Sequence, residues 1–162
     1  MASNKKKIFI TESFSQAGRI LLGDRDDIEM VEFPNMISDV DFQAKLREHA
    51  PVHGVALGGT RFGETELEAS GDMQVVTRIG VGFDAVDVPA LSRRKVPLMV
   101  AGTANSPSVA EQAIFMMLTL AKRATEMHTI VRDNKWGARL GMLPYDLFGK
   151  NVLIIGFGRI GS

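Results

Sequence analysis

Three glycines with the spacing G-x-G-x-x-G lie within the last seven residues, at Gly156, Gly158 and Gly161. They follow the apolar segment Asn151–Ile155, and this order is typical of dinucleotide-binding turns. In such a turn the first glycine permits a sharp bend, the second lets the backbone approach a pyrophosphate, and the third allows close helix packing. The pyrophosphate would be bound by N–H groups at the start of the next helix. A glycine turn without a ligand is the alternative at this point.

A second glycine cluster, Arg78–Asp84, follows a segment that we predict to be a strand. Ligands of open α/β sheets bind outside the carboxyl ends of the strands. Two glycines there, Gly80 and Gly82, can leave several N–H groups free, which suits a carboxylate. The alternative is a plain strand-to-helix turn in which Asp84 or Asp87 caps the helix.

A third cluster, Gly58–Arg61, follows another predicted strand. It should lie at the same edge of the sheet, where Arg61 could bind an anionic substrate. The alternative is an arginine that is simply solvated on a loop.

The residue inventory excludes several kinds of catalytic site. The sequence has no cysteine, which rules out disulfides, cysteine-bound zinc and thiol catalysis. Its three histidines, His49, His53 and His128, have neither the spacing of a metal site nor that of a Ser-His-Asp triad. We interpret them as structural, and we assign no catalytic residue and no metal site.

The first hundred residues alternate strand-like and helix-like segments. This alternation predicts βαβ units and an α/β fold with a parallel sheet covered on both faces. Five strands in this length favour a small flavodoxin-like domain, which we place at residues 1–101. The predicted strands are Lys7–Thr11, Ile28–Phe33, Val52–Leu57, Met73–Ile79 and Pro97–Val100, and the predicted helices are Phe14–Leu22, Ser38–Glu48, Glu64–Ala69 and Asp87–Arg94.

The turn-forming run Gly102–Pro107 indicates a boundary, after which residues 102–162 form a second domain segment. Ser108 and Glu111 have capping-box spacing, which predicts a helix that begins there and ends near Ala124. We expect the apolar face at Ile114–Leu118 to be packed in a core, with a subunit interface as the alternative. Further along we predict a second helix to about Asn134, irregular structure over Trp136–Phe148, and a strand over Asn151–Ile155.

Charge and hydropathy limit the partners. Lys+Arg and Asp+Glu number 19 each, so the net charge is zero and there is no basic field for nucleic acid. The longest apolar run, Ala113–Ala121, is far shorter than the roughly 20 residues that span a bilayer. The three apolar residues after Lys5–Lys7 are too few for a signal peptide. We expect a cytoplasmic protein with no nucleic-acid or membrane partner.

Four motifs, taken in order, resemble those of the D-isomer-specific 2-hydroxyacid dehydrogenases, in particular the phosphoglycerate dehydrogenase branch. The resemblance covers nearly the whole chain. The matching segments are Arg78–Asp87, Asn105–Glu111, Lys135-Trp136, and Gly149-Lys150-Asn151 leading into Gly156–Gly161.

The resemblance implies an enzyme that transfers a hydride between NAD or NADP and a small D-2-hydroxy acid or 2-keto acid. It implies a flavodoxin-like substrate domain followed by the start of a Rossmann domain, and a homodimer when the chain has its full length. By position in the motifs, Val81 and Gly82 would bind the substrate carboxylate, with Val81 also near the nicotinamide, and Asn105 would lie at the hinge side of the cleft. The pyrophosphate would be bound by Gly156, Gly158, Arg159, Ile160 and Gly161.

Three features depart from the family pattern. Gly58-Gly59 stands where the family often has Arg-Ser for a phosphate, which argues against a phosphorylated substrate. Ala85 replaces the usual Asn. The family's catalytic Arg, Glu and His lie downstream of the glycine motif, so we expect this chain to be an N-terminal portion that is inactive alone. The alternative function is an NAD-sensing, corepressor-type relative that binds without turnover.

Overall fold

A computed structural model describes residues 5–162, and the chain divides into a first unit that ends at Gly102 and a second unit, Thr103–Ser162. The first unit alternates strands and helices in strict order. Its strands are β1 (Lys6–Thr11), β2 (Ile28–Phe33), β3 (Val52–Leu57), β4 (Gly71–Arg78) and β5 (Leu98–Val100), and its helices are α1 (Gln16–Gly23), α2 (Asp39–His49), α3 (Glu64–Ser70) and α4 (Val88–Arg94).

All five strands of the first unit form one parallel sheet in the order β2-β1-β3-β4-β5. This is the strand order of flavodoxin-like folds, and it confirms the predicted α/β class. The bounds of β2 and β3 match the prediction residue for residue, and the other strand ends differ by one or two residues.

Local capping explains where the helices begin. The Ser38 hydroxyl accepts a hydrogen bond from the Asp41 N–H (3.1 Å), and acidic residues lie in the first turn of α2, so Ser38 caps the helix that we predicted to begin there. At α1, Ser15 accepts from the Gly18 N–H, so the helix begins at Gln16 rather than at Phe14 as we predicted.

The core of the first unit is built around four fully buried phenylalanines. Phe42 of α2 lies over the sheet, with its ring centroid 4.8 Å from that of Phe33 and 6.5 Å from that of Phe9. Phe62, on the loop before α3, adds an edge contact to Phe42. These rings pack α2 and the loop after β3 against the same face of the sheet, so the loops at the carboxyl edge follow strands that are held by close packing.

The second unit is helical throughout its regular part. It contains α5 (Ser106–Ala121), α6 (Ala124–Arg132) and a short 3₁₀ helix (Trp136–Gly141). Our prediction of irregular structure over Trp136–Phe148 was therefore wrong for the first six residues. The capping box at Ser108 was also wrong: α5 begins two residues earlier, because Pro107 fits the first turn of a helix.

The predicted strand Asn151–Ile155 is not formed. A strand needs a hydrogen-bonded neighbour, and within residues 103–162 there is no other strand to pair with it. Its apolar side chains are exposed, with 83% of the Leu153 surface and 92% of the Ile155 surface open to solvent.

The expectation of a core position for Ile114–Leu118 was also wrong. Every side chain of this segment is between 41% and 60% exposed. The apolar face of α5 is therefore uncovered in this chain.

Candidate functional site

The loops after β3 and β4 begin side by side at the carboxyl edge of the sheet. These strands are parallel neighbours, and the last residue of β3, Leu57, is in register with Arg78, the last residue of β4. Neighbouring strands lie about 4.8 Å apart. The glycine clusters at 58–61 and 79–84 therefore form adjacent loops, as their positions in the sequence predicted.

The side chain of Arg78 joins these two loops. Its Nε donates to the carbonyl oxygen of Gly82 (2.9 Å), and its Nη1 donates to the carbonyl oxygen of Gly58. The Ile79 N–H adds a backbone hydrogen bond to the Leu57 carbonyl oxygen (3.1 Å). In the sequence Arg78 stands out as part of the motif, but we did not predict that it would join the two loops. The signal was its position, an arginine at the end of a strand directly before a glycine loop.

The loop 80–83 presents backbone donors that no protein group uses. The Gly80 carbonyl accepts from the Ala101 N–H (3.1 Å), which anchors the loop to the end of β5. The N–H groups of Gly80, Val81, Gly82 and Phe83 donate to nothing within residues 5–162. A set of unpaired amide donors beside a guanidinium is the chemistry that binds a small carboxylate.

The acidic residues near this edge serve as helix caps. Asp87 accepts from the Ala90 N–H (3.0 Å) at the start of α4, which settles the capping role left open in the sequence. The buried Glu66 accepts from the Gly63 N–H (2.8 Å) and from Gln43 (2.7 Å). Both carboxylates line a surface cavity of about 570 Å³, where their oxygens are already engaged by the protein.

Arg61 lies in a different position from Arg78. It lines that cavity and a second one of about 400 Å³ bounded by Asn35–Asp39 and Gly59–Arg61. Among the described residues its guanidinium makes no ion pair. Its side chain is exposed on the loop after β3.

The glycine motif of the second unit forms a compact turn. Gly156 has a φ of +107°, a conformation that favours glycine. A Cβ built at Gly161 would lie 2.2 Å from the carbonyl oxygen of Gly156, so only glycine fits there. The Ser162 N–H donates to the Gly158 carbonyl (3.0 Å), and the space beside Gly158 is open, so a ligand could approach the backbone closely.

Asn105, Arg159 and Ile160 also lie in the second unit. Asn105 is in the N-cap position of α5, where its carbonyl accepts from the Val109 N–H (2.9 Å) and its side chain makes no capping hydrogen bond. Arg159 and Ile160 occupy the turn between Gly158 and Gly161.

The histidines of the first unit make contacts within the protein. His53 Nδ1 accepts the backbone N–H of Lys7 (3.0 Å), and its Nε2 lies 3.6 Å from the Asp72 carboxylate. Burial lowers the pKa of His53 below its usual value, and the charge of Lys6 adds to this effect, while Asp72 opposes it. The ring of His49 makes an edge contact with Phe9. Both histidines lie at the amino edge of the sheet, opposite the glycine loops.

Two negative findings complete the site. In the part of the chain that the structure describes, no group of three or more metal-ligating side chains comes together. Over the same residues, no helix combines the length and the apolar character needed to cross a membrane.

Comparison with known proteins identifies relatives of the whole chain. Residues 8–141 match the family model for the catalytic domain of D-isomer specific 2-hydroxyacid dehydrogenases. The D-3-phosphoglycerate dehydrogenase of Rattus norvegicus is 31% identical over 159 residues, which cover 98% of this chain and 29% of that protein. The chain therefore spans less than a third of the length of this curated relative.

Two solved structures share the fold. The NAD-dependent formate dehydrogenase of Staphylococcus aureus, in complex with NAD, matches 96% of this chain and 50% of its own with a TM-score of 0.77 at 22% identity. The NADPH-dependent glyoxylate/hydroxypyruvate reductase of Sinorhizobium meliloti, in complex with NADP and malonate, matches 97% and 48% with a TM-score of 0.69 at 23% identity. The matched family model covers most of the sequence, including the glycine loops at the carboxyl edge. The chain belongs to the D-isomer specific 2-hydroxyacid dehydrogenases.

Proposed function

We propose that this chain supplies the substrate-binding part of an NAD(P)-dependent dehydrogenase that acts on a small D-2-hydroxy acid or 2-keto acid. The observation that carries the proposal is the row of unpaired N–H groups at 80–83, at the edge of the sheet where ligands of such folds bind. In this proposal Val81 and Gly82 hold the substrate carboxylate, and Asn105, at the start of α5, is a further substrate-binding residue.

The cofactor site is proposed at the glycine turn of the second unit. Gly156, Gly158 and Gly161 supply the tight turn and the open backbone that a pyrophosphate needs, and Arg159 and Ile160 complete the loop. Relatives of this fold were solved with NAD and with NADP, which supports a nicotinamide cofactor without choosing its phosphate state. When bound, the nicotinamide supplies or accepts the hydride, and Val81 would lie near its ring.

The substrate is proposed to be unphosphorylated. The rat relative is named a D-3-phosphoglycerate dehydrogenase. Here the loop after β3 carries Gly58-Gly59, which offer no side chain to a phosphate. A compact acid such as glyoxylate, hydroxypyruvate or pyruvate fits a site built mainly from backbone donors.

The domain arrangement follows from the same proposal. Residues 1–101 would be the substrate domain and residues 102–162 the first part of the dinucleotide-binding domain. The complete protein would be a cytoplasmic homodimer, and the uncovered apolar face of α5 at Ile114–Leu118 is one surface that a second subunit could cover. No residue of the chain is assigned an acid or base role, so the 162 residues alone are expected to show no turnover.

A chimera tests this function. Residues 1–162 would be joined to the part of the rat D-3-phosphoglycerate dehydrogenase that follows the matched segment, and NADH and NADPH oxidation would be followed with glyoxylate, hydroxypyruvate and pyruvate. We expect turnover with at least one acid, and none from the 162-residue chain. Gly82→Ala should fold, because its Cβ would make only an ordinary 3.4 Å contact with Asp84, but should raise KM. Gly137→Ala, in open space, is the matched control.

The same experiment separates the alternative. A folded chimera that binds NADH but turns over none of the three acids would contradict the dehydrogenase proposal and support the NAD-sensing relative.

A further inference from the structure

Arg78 is the only charged side chain that joins the two glycine loops in the described part of the chain. It is half-buried, and no carboxylate among residues 5–162 lies within ion-pairing distance of it. Its two hydrogen bonds go to backbone carbonyls, of Gly58 on one loop and Gly82 on the other. A guanidinium placed between two glycine loops without an acidic partner needs an explanation beyond ion pairing.

The planarity of the peptide unit explains this placement. In a trans peptide the carbonyl of one residue and the N–H of the next lie in one plane and point in opposite directions. Only the Ala50–Pro51 bond is cis among the described residues, so the peptides after Gly58 and Gly82 are trans. By fixing these two carbonyls, Arg78 directs the N–H groups of Gly59 and Phe83 away from itself.

Neither of these N–H groups is used within the protein. The amides of Gly59 and Phe83 donate to no group in the portion of the chain that the structure describes. The amide of Val81 is directed in the same manner, but by the hydrogen bond between the Gly80 carbonyl and Ala101 rather than by Arg78. In the loop 80–83, the peptide plane after Gly80 is therefore set by the backbone of Ala101, the residue after β5, and the plane after Gly82 is set by the Arg78 side chain. In the neighbouring loop, Arg78 sets the plane after Gly58.

We propose that Arg78 is a positioning residue that directs the N–H groups of Gly59 and Phe83 toward the carboxylate of the bound acid. This inference rests on the proposed function and extends it, because it adds one donor from each loop to the Val81 and Gly82 contacts. Arginine suits the task because its planar fork donates in two fixed directions, whereas a lysine ammonium is a compact point charge on a flexible stem. The uncompensated positive charge also favours an anion nearby.

The test uses the ¹⁵N-labelled 162-residue chain titrated with oxamate, a carboxylate-bearing analogue of a 2-keto acid. In the wild type we expect the amides of Gly59 and Phe83 to shift together with those of Val81 and Gly82. Arg78→Lys keeps the charge but not the fork, and should weaken oxamate binding about tenfold, the effect expected from losing one or two well-placed hydrogen bonds. Arg93→Lys on α4, whose arginine is exposed and paired with Glu64, is the matched control and should bind oxamate normally.

Residual dipolar couplings separate positioning from a general structural role, since they report the direction of each N–H bond. In Arg78→Lys the couplings of Gly59 and Phe83 should change, while that of Val81 should not. A uniform change throughout the first unit would mean that Arg78 only supports the fold, and would overturn the inference.

The wild-type titration keeps the two proposals apart, and it does not depend on whether a variant folds. Shifts at Val81 and Gly82 without shifts at Gly59 and Phe83 would overturn the role of Arg78 and leave the proposed function standing. Unchanged oxamate affinity in Arg78→Lys would likewise overturn the role of Arg78 and leave the proposed function standing. The absence of any saturable shift in either loop would overturn both.

Discussion

Acidification should weaken the amino edge of the sheet through His53. Its Nδ1 can accept the Lys7 N–H only while that nitrogen carries no proton, and the hydrogen bond is 3.0 Å long. The bond joins β1 to β3 one residue before their backbone ladder begins at Ile8 and Gly54. Protonation would place two donors face to face at this point and break the link between the strands.

The sign follows from the direction of the pKa shift. Burial, with the charge of Lys6 and then of Lys7, lowers the pKa of His53 in the folded chain, and the attraction of Asp72 only partly offsets this. The unfolded state therefore binds the proton more readily. The stabilisation is fully present above about pH 6.5, the ordinary pKa of histidine, and is lost as the pH falls below that value.

The magnitude is that of one partly buried hydrogen bond. A neutral hydrogen bond between a backbone N–H and a side-chain acceptor contributes about 1 kcal/mol, and leaving the N–H without an acceptor costs about 1–3 kcal/mol. The exposed Asp72 carboxylate, 3.6 Å from Nε2, returns less than about 1 kcal/mol when the ring is charged. We expect a net loss of about 1 kcal/mol between pH 7.5 and pH 5.5.

Urea unfolding at both pH values measures this loss against a matched variant. In His53→Asn the carboxamide oxygen takes the δ position and can accept the Lys7 N–H at any pH. The titration of other groups affects both proteins equally and cancels in the difference between their unfolding free energies. On acidification from pH 7.5 to pH 5.5, the wild type should therefore lose about 1 kcal/mol more unfolding free energy than His53→Asn. A difference that stays constant, or one that favours the wild type at pH 5.5, would refute the reasoning.

Three further changes test the packing and the glycine turn. Phe42→Ala should lower the unfolding free energy by about 3–5 kcal/mol in urea titration, because it empties the centre of the aromatic core, whereas Phe148→Ala, 97% exposed, should change it by less than about 0.5 kcal/mol. Gly54→Ala should cost about 1 kcal/mol or less in the same assay, because the atom that the added Cβ would meet at 2.8 Å is Cδ1, the flexible end of the Ile8 side chain, and this side chain lines an apolar cavity into which it can turn; a loss of several kcal/mol would contradict this packing. Gly161→Ala should leave that midpoint unchanged yet abolish NADH binding by the chimera, as seen by fluorescence titration, because its Cβ would collide with the preceding turn; normal NADH affinity would argue against the proposed cofactor loop.

Sequence patterns predicted the first unit well because each of its elements is specified locally. Ser38 and the acidic first turn mark the start of α2, and the short apolar runs of β2 and β3 pair with neighbours that the chain itself provides. The shared edge of the two glycine loops followed from the parallel order of the strands alone. Local signals and tertiary contacts agree there, which is the condition under which pattern reasoning succeeds.

The second unit was predicted less well because its apolar segments depend on partners. Asn151–Ile155 has the composition of a buried strand, but a strand exists only where another strand pairs with it. Ile114–Leu118 likewise has the composition of a core helix and is exposed in this chain. Composition reports what a segment would bury, whereas the contacts decide whether it is buried.

For Arg78 the sequence shows a suggestive position, at the end of a strand and before a glycine loop, but not the groups that the side chain binds. Its two acceptors are backbone carbonyls on separate loops, 20 and 4 residues away in the sequence. Backbone acceptors carry no residue-type signature, so only the three-dimensional arrangement reveals which carbonyls the guanidinium binds.

The central claim is that the loop after β4 binds the carboxylate of a small 2-keto acid. The most direct measurement compares oxamate with oxamide, its neutral amide analogue, by ¹⁵N chemical-shift titration of the wild-type chain. The account predicts saturable shifts of the Val81 and Gly82 amides with oxamate and none with oxamide. Equal shifts with both compounds, or no saturable shift with oxamate, would contradict it.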